Sequence, residues 1–149
     1  MALEKIKIIS NFIKFEHSLF ALPFALSAYL LVVKTNQFSL PNLLLIMIAL
    51  ISARTYGMAI NRIIDRNIDS KNPRTMHREL ITKKISARDA YLISLVALIT
   101  FFITLIGFNR IVFLLSPIVI AVFTIYPFTK RFTYMCHHFL GLVYLIAPP

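Results

Sequence analysis

The chain has 149 residues, with 16 Lys and Arg against 6 Asp and Glu, a single cysteine and a formal net charge of +10. Hydrophobic residues make up 58% and charged residues only 15%, against roughly 25% charged in soluble domains, and mean hydropathy is +0.78. These values exclude intrinsic disorder, a collagen-like fibre and a disulfide scaffold, and they leave too few polar side chains to cover a soluble globule.

Taken in chain order, residues 3–15 place Ile6, Ile9 and Ile13 at helical spacing, which predicts a helix lying at a membrane surface. Leu19–Val33 is free of charge but spans only 15 residues. It reaches the roughly 20 residues a crossing needs if the helix begins near Phe12 and buries Glu16 and His17. Lys5, Lys7 and Lys14 before it resemble the start of a secretory signal, but the spans that follow favour a retained first helix. Leu40–Ala53 is charge-free, and its apolar pattern continues past Arg54 to Ile60. Ala90–Asn109 and Ile111–Thr129 read as two further spans, the latter with Pro117 and Pro127 as expected kinks. His138–Pro149 is apolar but stops too early to cross, so it reads as the start of a fifth helix. The expected fold is an all-α integral membrane protein with four complete transmembrane helices plus the start of a fifth. It forms one domain over 1–149, with a loop of interest at 61–89.

The charges sort by side. With the N-terminus cytoplasmic, thirteen of the 16 Lys and Arg fall on the cytoplasmic side, Lys34 and Arg110 fall outside, and Arg54 lies within a helix. That is a positive-inside distribution. The basic balance is thus accounted for by topology, and no nucleic-acid partner is expected. His137, His138 and Cys136 offer no zinc spacing.

The chemistry concentrates in Asn61–Leu80, which holds three of the six carboxylates. Asn61, Asp65 and Asp69 stand at i, i+4 and i+8, so they share one face of a helix that extends the second span. Pro73 ends that helix. Two carboxylates one turn apart repel, most strongly at a membrane edge of low dielectric, and a divalent cation removes the conflict. Magnesium takes hard oxygen ligands and typically joins one or two carboxylates to substrate phosphates. Arg62, Arg66, Lys71, Arg74 and Arg78 surround the acids, and guanidinium groups grip phosphate oxygens in pairs. Metal-binding acids and anion-binding bases at a membrane surface fit a lipid diphosphate. A solvated salt-bridge network is the alternative for composition alone. Arg54, inside a span, is costly unless an acid or the diphosphate pairs with it. Phe20, Phe24, Tyr56 and Tyr126 are aromatic residues of the spans, where most such rings pack or face lipid.

The order of these residues resembles a known family. Asn61-Arg62 with Asp65 and Asp69, followed by Asn72-Pro73-Arg74-Thr75 and Arg78, is similar to the first aspartate-rich motif of the UbiA-type intramembrane aromatic prenyltransferases. Phe15 to Phe24, Ala53-Arg54 with Gly57-Met58-Ala59, and Tyr126 with Thr129 to Thr133 resemble its 4-hydroxybenzoate polyprenyltransferase branch. The resemblance implies a bundle of about nine helices that joins a polyprenyl diphosphate to an aromatic acid with magnesium. It implies metal and diphosphate on Asn61, Asp65 and Asp69, and diphosphate contacts from Arg62, Arg66, Lys71, Arg74 and Arg78. Lys130 and Arg131 would lie near the aromatic acid, with Arg131 against its carboxylate. Two departures stand out: Arg78-Glu79-Leu80 where the family reads Arg-Pro-Leu, and Lys83-Lys84 where a small residue is usual. The family also carries a second aspartate-rich motif, whereas no carboxylate follows Asp89 here. The expectation is therefore an N-terminal half, inactive alone, set in a bacterial inner membrane and partnered by the other half. Alternatives are a naphthoate acceptor of the menaquinone pathway, a non-catalytic pseudoenzyme, or a cation carrier; the arginines around the acids favour an anion.

Overall fold

The computed structural model describes residues 2–33 and 38–129. The regular elements among them are helices: α1 (Ala2–Ile13), α2 (Phe15–Val33), α3 (Leu40–Ile64), α4 (Arg66–Asp69), α5 (Ala87–Leu105) and α6 (Arg110–Thr129). Three of them, α3, α5 and α6, are long and apolar enough to cross a bilayer, whereas the apolar run of α2, Phe15–Leu31, is shorter. Of the four expected spans, three thus meet the length and apolarity requirement. The segment expected to start a fifth, 138–149, lies outside the described residues, as do Lys130 and Arg131.

The first helix does not run unbroken from Phe12. Lys14 has φ 52°, in the left-handed region that a residue with a Cβ enters at a cost. The chain turns there, with the Lys14 amide donating to the Asn11 carbonyl at 3.3 Å and the His17 amide to the Lys14 carbonyl at 2.9 Å. The surface helix α1 and the apolar α2 are therefore separate elements. Glu16 sits in the first turn of α2, where a carboxylate complements the helix dipole. Glu16 and His17 are exposed rather than buried.

Tyr29 fastens α2 to the start of α3. Its hydroxyl donates to the Ser39 carbonyl at 2.6 Å and accepts from the Ser39 amide at 2.8 Å. Ser39 caps α3 by accepting from the Asn42 amide, and Pro41 fits the first turn, where no amide partner is needed.

α3 is the central helix and packs most extensively on α5, with α2 and α6 also against it. The α3–α5 seam is built from small residues. Ser52 and Ala59 on α3, seven residues apart, and Ala90, Ser94 and Ala97 on α5, at i, i+4, i+7 spacing, are small and buried. Small side chains let helix backbones approach closely where lipid offers no hydrophobic drive. Ser86 caps α5 by accepting from the Asp89 amide at 3.0 Å, and the Asp89 carboxylate accepts from the Ser86 hydroxyl at 2.8 Å.

Helix α6 runs on through both prolines that the sequence marked as kinks. Pro117 has no amide to give to the Phe113 carbonyl. The Ser116 hydroxyl donates to that same carbonyl at 2.7 Å and satisfies it. Between α3 and α6, Tyr56 and Thr124 are joined at 2.8 Å. Thr124 spends its own proton on the Ile120 carbonyl, so Tyr56 is the donor.

A shielded cluster lies at the loop end of the helices. Phe12, Ala59, Leu80, Ile85 and Ala90 form one buried cluster, drawn from α1, α3, the 70–86 loop and α5. This cluster seats the loop that carries the site.

Candidate functional site

The face predicted from the spacing of Asn61, Asp65 and Asp69 is present. Asp65 departs slightly from helical geometry (φ −83°, ψ 1°) and divides α3 from α4. The ladder nonetheless carries through, since the Asp65 amide donates to the Asn61 carbonyl at 2.9 Å and the Asp69 amide to the Asp65 carbonyl at 2.8 Å. Both acids are buried, each 8% exposed. A carboxylate so withdrawn from water needs a partner. For Asp69 that partner is the Arg78 guanidinium, which donates to Oδ2.

The segment Asn72-Pro73-Arg74-Thr75 folds into a tight return. The Asn72 side chain accepts from the Arg74 amide at 3.0 Å across Pro73, an Asx-turn. The buried Thr75 hydroxyl then donates to the Asp69 carbonyl at 2.9 Å. This turn carries Arg78 back to Asp69, nine residues earlier. The sequence marked Asn72 and Thr75 only as parts of a motif, and the geometry gives each a local task.

Arg62 lies one turn before Asp65 and is 5% exposed. Its Nη1 donates to Glu79 Oε2 at 2.5 Å, its Nη2 donates to the Asn11 carbonyl at 3.4 Å, and its guanidinium carbon stands 5.5 Å from the centre of the Phe12 ring. Its Nε is buried without a hydrogen-bond partner among the described residues. Asn11, Phe12 and Glu79 were not singled out as site residues from the sequence. The departure at Glu79 was the one available signal, and its partner is too distant in the chain for spacing to show.

Beside this clasp is a cleft of about 400 Å³. Its cations are Lys14, Arg62, Arg74 and Arg78, and His17 and His77 join them. The carboxylate on its wall is Glu79. Cations that outnumber acids in a recess focus the field toward an anion. Arg62, Arg74 and Arg78 of the predicted anion-binding set thus converge on one recess. Arg66 and Lys71 are exposed and do not line it. Arg54 is half-buried within α3, and its Nε has no hydrogen-bond partner among the described residues. Phe20 and Phe24 face outward, whereas Tyr56 is buried and engaged by Thr124.

Among the described residues no group of three or more His, Cys, Asp and Glu forms a metal cage. Magnesium typically holds to one or two carboxylates and completes its shell with water and phosphate oxygens. The donor set here, two buried carboxylates and an asparagine on one face, is all hard oxygen and fits that mode.

Together, the apolar helices and the acid pair beside a basic recess define an integral membrane protein with a cation-lined recess at the end of a spanning helix. Residues 21–149 match the UbiA prenyltransferase family, and the chain belongs to that family. It is 36% identical over 107 residues to a 4-hydroxybenzoate octaprenyltransferase of Haemophilus ducreyi, covering 72% of this chain and 39% of that protein. It is 38% identical over 105 residues to one of Pseudomonas aeruginosa, covering 70% and 36%. The apo structure of a UbiA homolog from Aeropyrum pernix superposes with a TM-score of 0.76 at 36% identity, covering 86% of this chain and 46% of that one. The chain spans somewhat more than a third of the length of these curated relatives.

Proposed function

We propose that this chain forms the diphosphate-binding part of an aromatic prenyltransferase. Its substrates would be a polyprenyl diphosphate and an aromatic acid of the 4-hydroxybenzoate type, and its product would enter quinone synthesis. The observation that carries the reading is the buried Asp65–Asp69 pair, one helical turn apart, beside the recess of Arg62, Arg74 and Arg78, within the segment matched to the family. The names of the bacterial relatives support the acceptor class and a bacterial inner membrane as the location, and the positive-inside charge distribution supports a cytoplasmic N-terminus.

Diphosphate leaves an allylic carbon only when its growing charge is met. Asn61, Asp65 and Asp69 would hold magnesium, which supplies Lewis-acid neutralisation of that charge. Arg74 and Arg78, which line the recess, would bind the diphosphate oxygens, and exposed Arg66 and Lys71 would add to the field around it. The allylic C–O bond breaks, the ring carbon of the aromatic acid forms the new C–C bond, and the ring proton is lost. Arg131 and Lys130 are proposed to hold the acid's carboxylate. Spanning helices keep water from the cation.

The reading includes a second helical half bearing the further acidic motif that the resemblance implies, and it assigns little or no turnover to the 149 residues alone. The test is binding of farnesyl diphosphate to the purified chain in detergent, with and without magnesium, followed by co-expression with the C-terminal part of a homologous prenyltransferase. Magnesium-dependent binding, and prenyl transfer only in the combined preparation, are expected. No affinity for the lipid diphosphate under either condition overturns the assignment.

A further inference from the structure

Two openings that share no lining residue with the basic recess meet along α1 and α5. The first, about 360 Å³, lies between α1 and the start of α5, with Lys5 and Lys84 at its mouth and Ile8, Ile85 and Leu92 on its walls. The second, about 470 Å³, continues between α3 and α5 past Ile48, Ile51 and Val96 to Thr100. Ile9, Leu92 and Ile93 line both, so they make one trough with a cationic head and an apolar run.

The trough's length speaks to its occupant. Asp89 lines the head and Thr100 the far end, eleven residues apart on α5. At 1.5 Å per residue that is roughly 16 Å. One leaflet of a hydrocarbon core of roughly 30 Å is about 15 Å deep. The head holds two lysines against Asp89, whose carboxylate is already engaged in the α5 cap with Ser86.

We propose that the trough binds an anionic phospholipid of the loop-side leaflet, with its phosphate on Lys5 and Lys84 and one acyl chain laid between α3 and α5. The site is separate from the acid pair and its basic recess, and it does not depend on the function proposed above. Each lysine near an anionic lipid surface adds attraction, so two of them favour the anionic headgroup by roughly tenfold or more.

The full chain, purified in detergent, is titrated with phosphatidylglycerol or phosphatidylcholine of matched chains, and bound lipid is counted by native mass spectrometry. Preferential retention of phosphatidylglycerol is expected. Lys5→Gln with Lys84→Gln should equalise the two lipids, and Val96→Trp, which fills the apolar run, should reduce both. Helix content by circular dichroism identifies any variant that fails to fold, and Lys5→Arg with Lys84→Arg should then keep the preference. Equal retention by the unaltered chain overturns the proposal. So does a preference that survives removal of both lysines, competition by soluble glycerol phosphate as effective as by the lipid, or a lipid-free dimer in which a second copy fills the trough.

Discussion

Arg62 and Glu79, seventeen residues apart in the chain, meet in a partly buried ion pair 2.5 Å long that joins the central spanning helix to the loop. The same guanidinium reaches α1 through the Asn11 carbonyl and the Phe12 ring, so one side chain ties three segments together. Removing one member of a buried pair leaves the other charge without compensation, at a cost of about 3–5 kcal/mol. Glu79 retains 18% exposure, which places the expected loss at the lower end. Glu79→Met and Arg62→Met should each lower the thermal midpoint in detergent, and the double variant should recover much of the loss. Additive losses in that cycle would show that the two residues act independently.

Asp65→Ala and Asp69→Ala test the acids of the proposed site. Charge-assisted contacts are worth about 1.5–3 kcal/mol, so each should weaken magnesium-dependent binding of farnesyl diphosphate by roughly tenfold or more. Isothermal titration in detergent reads the effect. A change in thermal stability with unaltered affinity would assign the pair to packing instead.

The Thr75 hydroxyl, buried and bonded to the Asp69 carbonyl, closes the return that carries Arg78 to Asp69. Thr75→Val keeps the shape and leaves that carbonyl with only the long 3.4 Å bond from the Asn72 amide, a loss of about 1 kcal/mol. Faster amide exchange across 72–78, with α5 unchanged, is the expected signature.

Much of this architecture follows from local pattern. The 61, 65, 69 spacing fixed a shared face because a helix repeats every 3.6 residues, and that ladder survives the hitch at Asp65. The long apolar runs of α3, α5 and α6 were legible for the same reason of simple length. The break at Lys14 was not, because left-handed backbone is usually announced by glycine and here a lysine adopts it. Arg62 reads in sequence as one more anion-binding base beside Arg66; its burial against Phe12 and Glu79 depends on tertiary contacts that spacing cannot carry. The small-residue seam at Ala90, Ser94 and Ala97 passed unnoticed within a uniformly apolar span.

Ser116 and Pro117 make a self-contained test of how α6 tolerates a proline. Ser116→Ala should cost about 1 kcal/mol by stranding the Phe113 carbonyl in an apolar setting. In a Pro117→Ala background the restored amide serves that carbonyl, so the same serine substitution should be nearly neutral. An equal cost in both backgrounds would place the serine's role elsewhere.

The corner at Lys14 makes the chain count between Phe12 and Phe15 a matter of phase. One inserted residue would rotate α1 by about 100° about its own axis. Phe12 would swing from beneath Arg62 toward lipid or water, and the guanidinium would lose its aromatic floor and its carbonyl acceptor in the same step. The N-terminal arm is therefore set like a key in a lock, and it tolerates altered side chains along its outer face far better than an altered length.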